Sequence, residues 1–179
     1  RASLPVMYSE LEKCQKSLEG YLEQKRNKFP RFYFVSNPGL LIILSQGSDP
    51  LSMNEHYEKV FDAITFVDHN KKDKTLIEKI HGDGGQGHEV IPFSSAVRAV
   101  GNIEDWLCEL LKKMQLTMKD ITRNSAGELN ALTSDISQLR SFVDNYVAQF
   151  ALLGVQMLWT NDMQVALEQM KTLDQRVKP

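Results

Sequence analysis

Gly82, Gly84 and Gly87 satisfy the spacing G-x-G-x-x-G, and Glu104 lies about twenty residues beyond them. In a dinucleotide site such glycines let the backbone approach a pyrophosphate, and the later acid bonds a ribose hydroxyl. That chemistry needs a helix opening directly from the loop, so that its amino terminus faces the phosphates. Here the loop leads into EVIPF, a strand-like run containing a proline. The glycines are therefore read as supplying positive φ in a hairpin loop. His81, Asp83 and His88 flank the same loop and could converge on a metal. With no fourth ligand at useful spacing, an exposed polar tip is the preferred reading. His56 and His69 have no partners in the sequence, no G-x-S-x-G elbow surrounds any serine, and GxxxxGK[ST] does not occur. The residue types thus assign no catalytic, cofactor-binding or metal-binding residue to this chain.

Two further clusters invite function. Lys25, Arg26, Lys28 and Arg31 could touch an anionic surface, although such a group more often ends a helix in solvent. Phe32, Tyr33 and Phe34 could form a ligand platform. Packing is the stronger reading, since burying each ring contributes on the order of 2 kcal/mol. The stripe around Trp106 is read as core for the same reason.

The elements that would carry these groups are mostly helical. Met7, Leu11, Cys14, Leu18 and Tyr21 recur at steps of three and four, predicting a helix over 6–26 with cations in its last turn. Pro30 pushes Phe29 out of helical geometry and closes it. The aromatic run is expected as an extended or single-turn plug. Ser36 or Asn37 then caps a helix with Pro38 in its first turn and Leu40, Leu41, Ile43 and Leu44 on its buried face. Gly47-Ser48-Asp49-Pro50 ends it, and a third helix is expected from Met53 to Ala63.

Next come β-branched runs at 64–67, 75–80 and 89–93, separated by HNKKDK and GDGGQG, which suggest a small antiparallel meander. Asn102 is read as the cap of a helix bearing Ile103, Trp106, Leu107, Leu110 and Met114. A break is expected at Arg123–Gly127. A long helix should follow over 129–157, with a break or new cap at Thr160 or Asn161. The expected fold is mainly α, an elongated helical bundle with a β insertion at about 64–93. It is read as a single fragment, with helices over 1–63 and long helices over 102–176.

Composition limits the function classes. The 179 residues are 42% hydrophobic with 21 basic against 23 acidic residues, a formal charge of −2. This balance gives no support to nucleic-acid binding. No run approaches the ~20 apolar residues of a membrane span. Cys14 and Cys108 lack metal-type spacing and are expected as buried thiols in a reducing compartment. Since the chain starts at Arg1 without Met and stops at Pro179 as a helical pattern finishes, it is expected to be a piece of something longer.

The run YLEQKRNKFPRFYFVSNPGLLIILSQGSDP closely resembles the linker region of dynein heavy chains, and more the axonemal type than the cytoplasmic. The resemblance rests on Lys25-Arg26, Phe29 to Phe34, Ser36-Asn37 and Leu44-Ser45 through Pro50. The run from Gly101 to Leu107 and the pair Trp159-Thr160 resemble two later signatures. Pro38-Gly39 stands where the family usually has acids.

What the resemblance implies is a force-transducing lever, bending and straightening over the AAA+ ring of the same heavy chain. ATP and Mg would be used by the parent motor, with none bound by this fragment. The microtubule would be met only indirectly, alongside other dynein complex subunits. Localisation would be the axoneme of a cilium or flagellum within the cytoskeleton, with cytoplasm as the alternative. On that implication His81, Asp83 and His88 are a candidate ring-contact tip. Pro30, Gly47, Pro50 and Gly127 are candidate hinges. The competing reading is a stand-alone helical adaptor that binds a partner helix through the 129–157 stripe.

Overall fold

Pro30 stops the first helix as expected, leaving Phe29 extended at φ −128° and ψ 92°. The computed structural model describes residues 3–47, 49–83, 88–131 and 136–177. Among these, the helices are α1 (Ser3–Lys28), α2 (Asn37–Gln46), α3 (Tyr57–Val60), α4 (Ile103–Ala131), α5 (Ile136–Asn145) and α6 (Ala148–Val177). The strands are β1 (Ile64–His69), β2 (Leu76–Asp83) and β3 (His88–Arg98), forming one antiparallel sheet in the order β1-β2-β3. A mainly α chain with a small β meander is therefore what folds. The chain divides into two compact units, residues 1–114 and 115–179.

In the first unit, local signals and burial agree closely around α2. Ser36 Oγ accepts from the Gly39 amide at 3.3 Å, and Pro38 occupies the first turn, where no intrahelical donor is needed. Leu40 and Ile43 are buried, joining Leu22, Phe29, Phe32, Tyr57, Ile77 and Trp106 in one core. The expected helix from Met53 to Ala63 is instead a 3₁₀ turn at Ser52–Glu55 followed by the single-turn α3. Asn54 explains the interruption, because its Oδ1 accepts from the Val67 amide at 3.0 Å and ties this segment to β1. Gly101, at φ +88°, adopts the left-handed conformation that releases the chain from the sheet into α4.

The sheet departs from expectation at its glycine. Gly82 does not supply positive φ. It pairs with Ile64 within the sheet, and a Cβ there would sit 3.1 Å from the Ala63 carbonyl oxygen. Its smallness thus serves a close backbone approach. Gly84 and Gly87 lie outside the described residues, as does Ser48.

The second unit corrects three expected boundaries. The break expected at Arg123–Gly127 does not occur, for α4 runs through it to Ala131. The Ser125 hydroxyl donates to the Thr122 carbonyl at 2.9 Å, so this residue bonds back along the helix rather than ending it. The long helix expected over 129–157 is divided, α5 ending at Asn145 and α6 beginning at Ala148; Leu132 lies outside the described residues. α6 then passes Thr160 and Asn161 without interruption, the Thr160 hydroxyl donating to the Gln156 carbonyl at 2.8 Å.

Gly154 explains how α6 packs in this unit. A Cβ there would stand 2.6 Å from Phe142 Cζ and 2.7 Å from Leu129 Cδ1, both on buried side chains. Gly154→Ala should therefore destabilise this packing by about 1–3 kcal/mol despite alanine's better helix propensity. Urea denaturation followed by circular dichroism would show it. An unchanged or raised midpoint would mean the ring and leucine move aside freely.

Candidate functional site

The basic residues of the first signature converge on a buried carboxylate. α1 ends with Lys25 and Lys28 facing the first turn of α4, where Glu104 lies between Ile103 and Trp106, all of them buried. Lys25 Nζ donates to Glu104 Oε1 at 2.6 Å, and Lys28 Nζ approaches the same oxygen at 3.4 Å. Lys28 also lies 3.7 Å from Asp105, and the Cys108 thiol donates to its carbonyl oxygen at 3.4 Å. Burial alone would raise the Glu104 carboxyl, but the bond from Lys25, backbone bonding and the neighbouring cations hold it below the usual carboxylate range. Burial works to lower Lys25, yet the bond and charge of Glu104 hold its ammonium above the usual value. Both groups are therefore charged at neutral pH, and the pair clamps the end of one long helix to the start of another.

The remaining cations brace the same corner. Arg26 donates to Asn37 Oδ1 at 2.6 Å and to the Val35 carbonyl at 3.3 Å, bridging α1 to the start of α2. Arg31 donates to the Val60 carbonyl at 3.4 Å and lies over the Phe61 ring at 5.0 Å. A solvated basic helix end was the plainer expectation. The structure shows a set of internal braces instead.

At the other end of α2, Gly47 packs on α4, a Cβ there standing 3.2 Å from Ile103 Cβ. The buried His56 joins the end of α2 to α3. Its Nε2 lies 3.0 Å from Gln46 Oε1 and its Nδ1 3.0 Å from Lys59 Nζ. The ammonium can only donate, so the ring is neutral with its proton on Nε2. Burial, then the Lys59 charge, push its pKa down.

The aromatic run splits. Phe32 is fully buried and meets Phe29 edge to face at 5.0 Å, whereas Tyr33 and Phe34 are exposed, Phe34 at 80%. A five-residue 3₁₀ turn, Pro30–Phe34, causes this, since three residues per turn point consecutive side chains in different directions. The Tyr33 hydroxyl bonds Glu23 Oε1 on α1.

Of the candidate tip, His81 stacks on Phe66 with ring centroids 4.1 Å apart. Its Nε2 lies 3.0 Å from Asp68 Oδ2, off the hydrogen-bonding direction. Asp83 and His88 are paired across β2 and β3, which places both at the hairpin end. No group of three metal-ligating side chains occurs among the described residues. Of the candidate hinges, Pro30 and Gly47 lie at this corner and Pro50 in the turn behind it, while Gly127 lies inside α4. The expectation that both cysteines are buried fails. Cys14 is exposed on α1, and Cys108 is half-buried, its thiol raised by burial.

Glu104 is the residue whose importance is least apparent from the sequence. Its type and position suit the favourable dipole end of α4 and suggest nothing more. Its place among Ile103, Trp106 and Leu107, the face that must be buried, is the available sign that it needs a cation.

This corner lies within the part of the chain that a family model matches. The family model described as dynein heavy chain, N-terminal region 2, matches residues 1–125. The chain belongs to the dynein heavy chain family. Dynein axonemal heavy chain 5 of Rattus norvegicus is 41% identical over 94% of this chain. The dynein gamma chain of the flagellar outer arm of Chlamydomonas reinhardtii is 38% identical over the same share, and cytoplasmic dynein 2 heavy chain 1 of Mus musculus is 34% identical. The chain spans only 4–5% of the length of these dynein relatives. The family match covers the whole clamped corner, from Lys25 to Glu104 and Cys108.

Proposed function

We propose that this chain is a lever segment of an axonemal dynein heavy chain, bending and straightening as the AAA+ ring of the same heavy chain turns over ATP. The observation that carries this reading is the Lys25–Glu104 clamp. It fixes two helices of 26 and 29 residues end to start through a buried ion pair. At 1.5 Å per residue these are arms of roughly 40 Å, long enough to convert a small rotation at a corner into a large displacement. Close-packed interiors deform little, so motion would concentrate at discrete joints.

Pro30, Gly47 and Pro50 are proposed as such joints, beside or behind the clamp. Gly127 is proposed as a soft point inside α4, because glycine there costs about 1 kcal/mol of helix propensity and meets no neighbour. The hairpin end with His81, Asp83 and His88 is proposed to reach toward the ring. ATP and Mg belong in this reading to the ring, and the microtubule is engaged through the rest of the motor. The identities to axonemal and flagellar outer-arm chains support placing the parent in the axoneme.

The test is a distance measurement in the full-length motor. A donor dye replaces the exposed Lys72 in the turn between β1 and β2, and an acceptor is placed on the ring. Transfer efficiency should move between distinct values as nucleotide is changed. One value held through every nucleotide state would sink the lever reading.

A further inference from the structure

The first helix carries an apolar face that no other element of its own unit, residues 1–114, covers. Leu4, Met7, Leu11, Cys14, Leu18 and Tyr21 follow steps of three, four, three, four and three, a strict seven-residue repeat. Such spacing presents a straight seam only to a second helix wound left-handedly about the first. Each of the six is exposed: Leu4, Met7 and Leu11 by 59–67%, Leu18 and Tyr21 by 43–45%, and Cys14 as well. A solvated helix face has no need of this pattern. The next two positions in the same repeat are Lys25 and Lys28, and both turn onto Glu104 at the start of α4. One stripe therefore meets a helix at its carboxyl end, through Lys25 and Lys28, and is exposed along its first three heptads.

We propose that this seam is the docking face for a second helix of the same heavy chain, contributed by sequence outside residues 1–179. The proposal shares with the lever reading the premise that this segment works within a much longer chain, here 4–5% of the relatives' length. The residues flanking the seam favour an occupant from the same polypeptide. In coiled coils formed between separate chains, charged flanking positions choose the partner. Here those positions hold Tyr8, Gln15, Ser17, Gln24 and Glu10, besides Leu22, which is buried in the core. The one charge, Glu10, is already bonded by Lys13 of its own helix at 2.9 Å. A seam without charge code, three heptads long and carrying Cys14 and Tyr21 at core positions, is weak for a freely diffusing partner. A tethered helix, at an effective concentration on the order of mM, does not need more.

Cys14 sits in the middle of the seam and reports on it. The intact heavy chain is treated with a maleimide, without ATP, and modification of Cys14 is followed by peptide mass spectrometry in native buffer and in urea. Labelling in native buffer should be slower by at least about tenfold, as expected for a thiol reached only by local opening. Leu11→Glu, one turn away, should remove most of that protection. Native labelling within about twofold of the denatured rate would overturn the proposal by showing a bare seam. Protection that rises with protein concentration, together with a Cys14–Cys14 cross-link, would assign the seam to a second copy instead. Protection lost when associated subunits are stripped by salt would assign it to another protein. None of these results depends on whether the distance to the ring changes with nucleotide, so the seam and the lever can fail separately.

Discussion

Lys25→Met is expected to destabilise the chain by about 3–5 kcal/mol, because it leaves a buried carboxylate without its closest cation. Lys28 softens the loss, placing the result toward the lower end, since its ammonium already lies 3.4 Å from the same oxygen but is half exposed. The double variant Lys25→Met/Glu104→Leu should recover most of the lost stability, because it removes the buried charge along with its partner. The pH dependence comes from the two shifts. Glu104 is held below its ordinary value, so its contribution is present above about pH 4.3 and is lost as pH falls through the lower folded value. Lys25 is held above its ordinary value, so its contribution is full below about pH 10.4 and is lost as pH rises through the higher folded value. Between these limits the clamp's contribution is flat, and the double variant should lose both limbs. Urea unfolding of the parent protein, the two single variants and the double variant across pH measures all of this. A single-variant cost below about 1 kcal/mol would make the pair no more than a surface bridge.

Glu104 also shows where reading along the chain stops. Its residue type and position in the first turn are visible in the sequence, and so is the apolar period around it. Its partner lies 79 residues away, and no local spacing joins them. α1 gives the converse case. Its period is legible and the helix forms, yet the period does not distinguish a face packed in the core from a seam facing solvent. Only Leu22, off the stripe, is buried along that helix. At 123–127 the Asn, Ser and Gly side chains read as punctuation, but α4 absorbs them, and tertiary context overrides propensity. The chemistry-bearing glycines are legible in another way. A dinucleotide site requires a helix directly after them, the sequence offers a strand, and the structure places β3 there.

Phe32→Ala and Phe34→Ala, two residues apart in one motif, should differ widely in their cost. Phe32 has no solvent exposure and fills the space between Phe29 and the rest of the first unit's core. Truncating it removes a buried ring and leaves a cavity in a region held by backbone bonds from Val35 to Phe32 and from Phe32 to Phe29. The expected cost is about 3–5 kcal/mol. Phe34 is 80% exposed, and its truncation should change stability by no more than about 0.5 kcal/mol. If both substitutions were equally costly, the 3₁₀ turn would not divide the motif as described, and Phe34 would have to be covered too. If instead Phe34→Ala leaves stability alone but uncouples ATP turnover from gliding in the full motor, the exposed ring acts outside this segment. The motif would then combine two tasks, Phe32 holding the corner together and Phe34 presenting a contact from it.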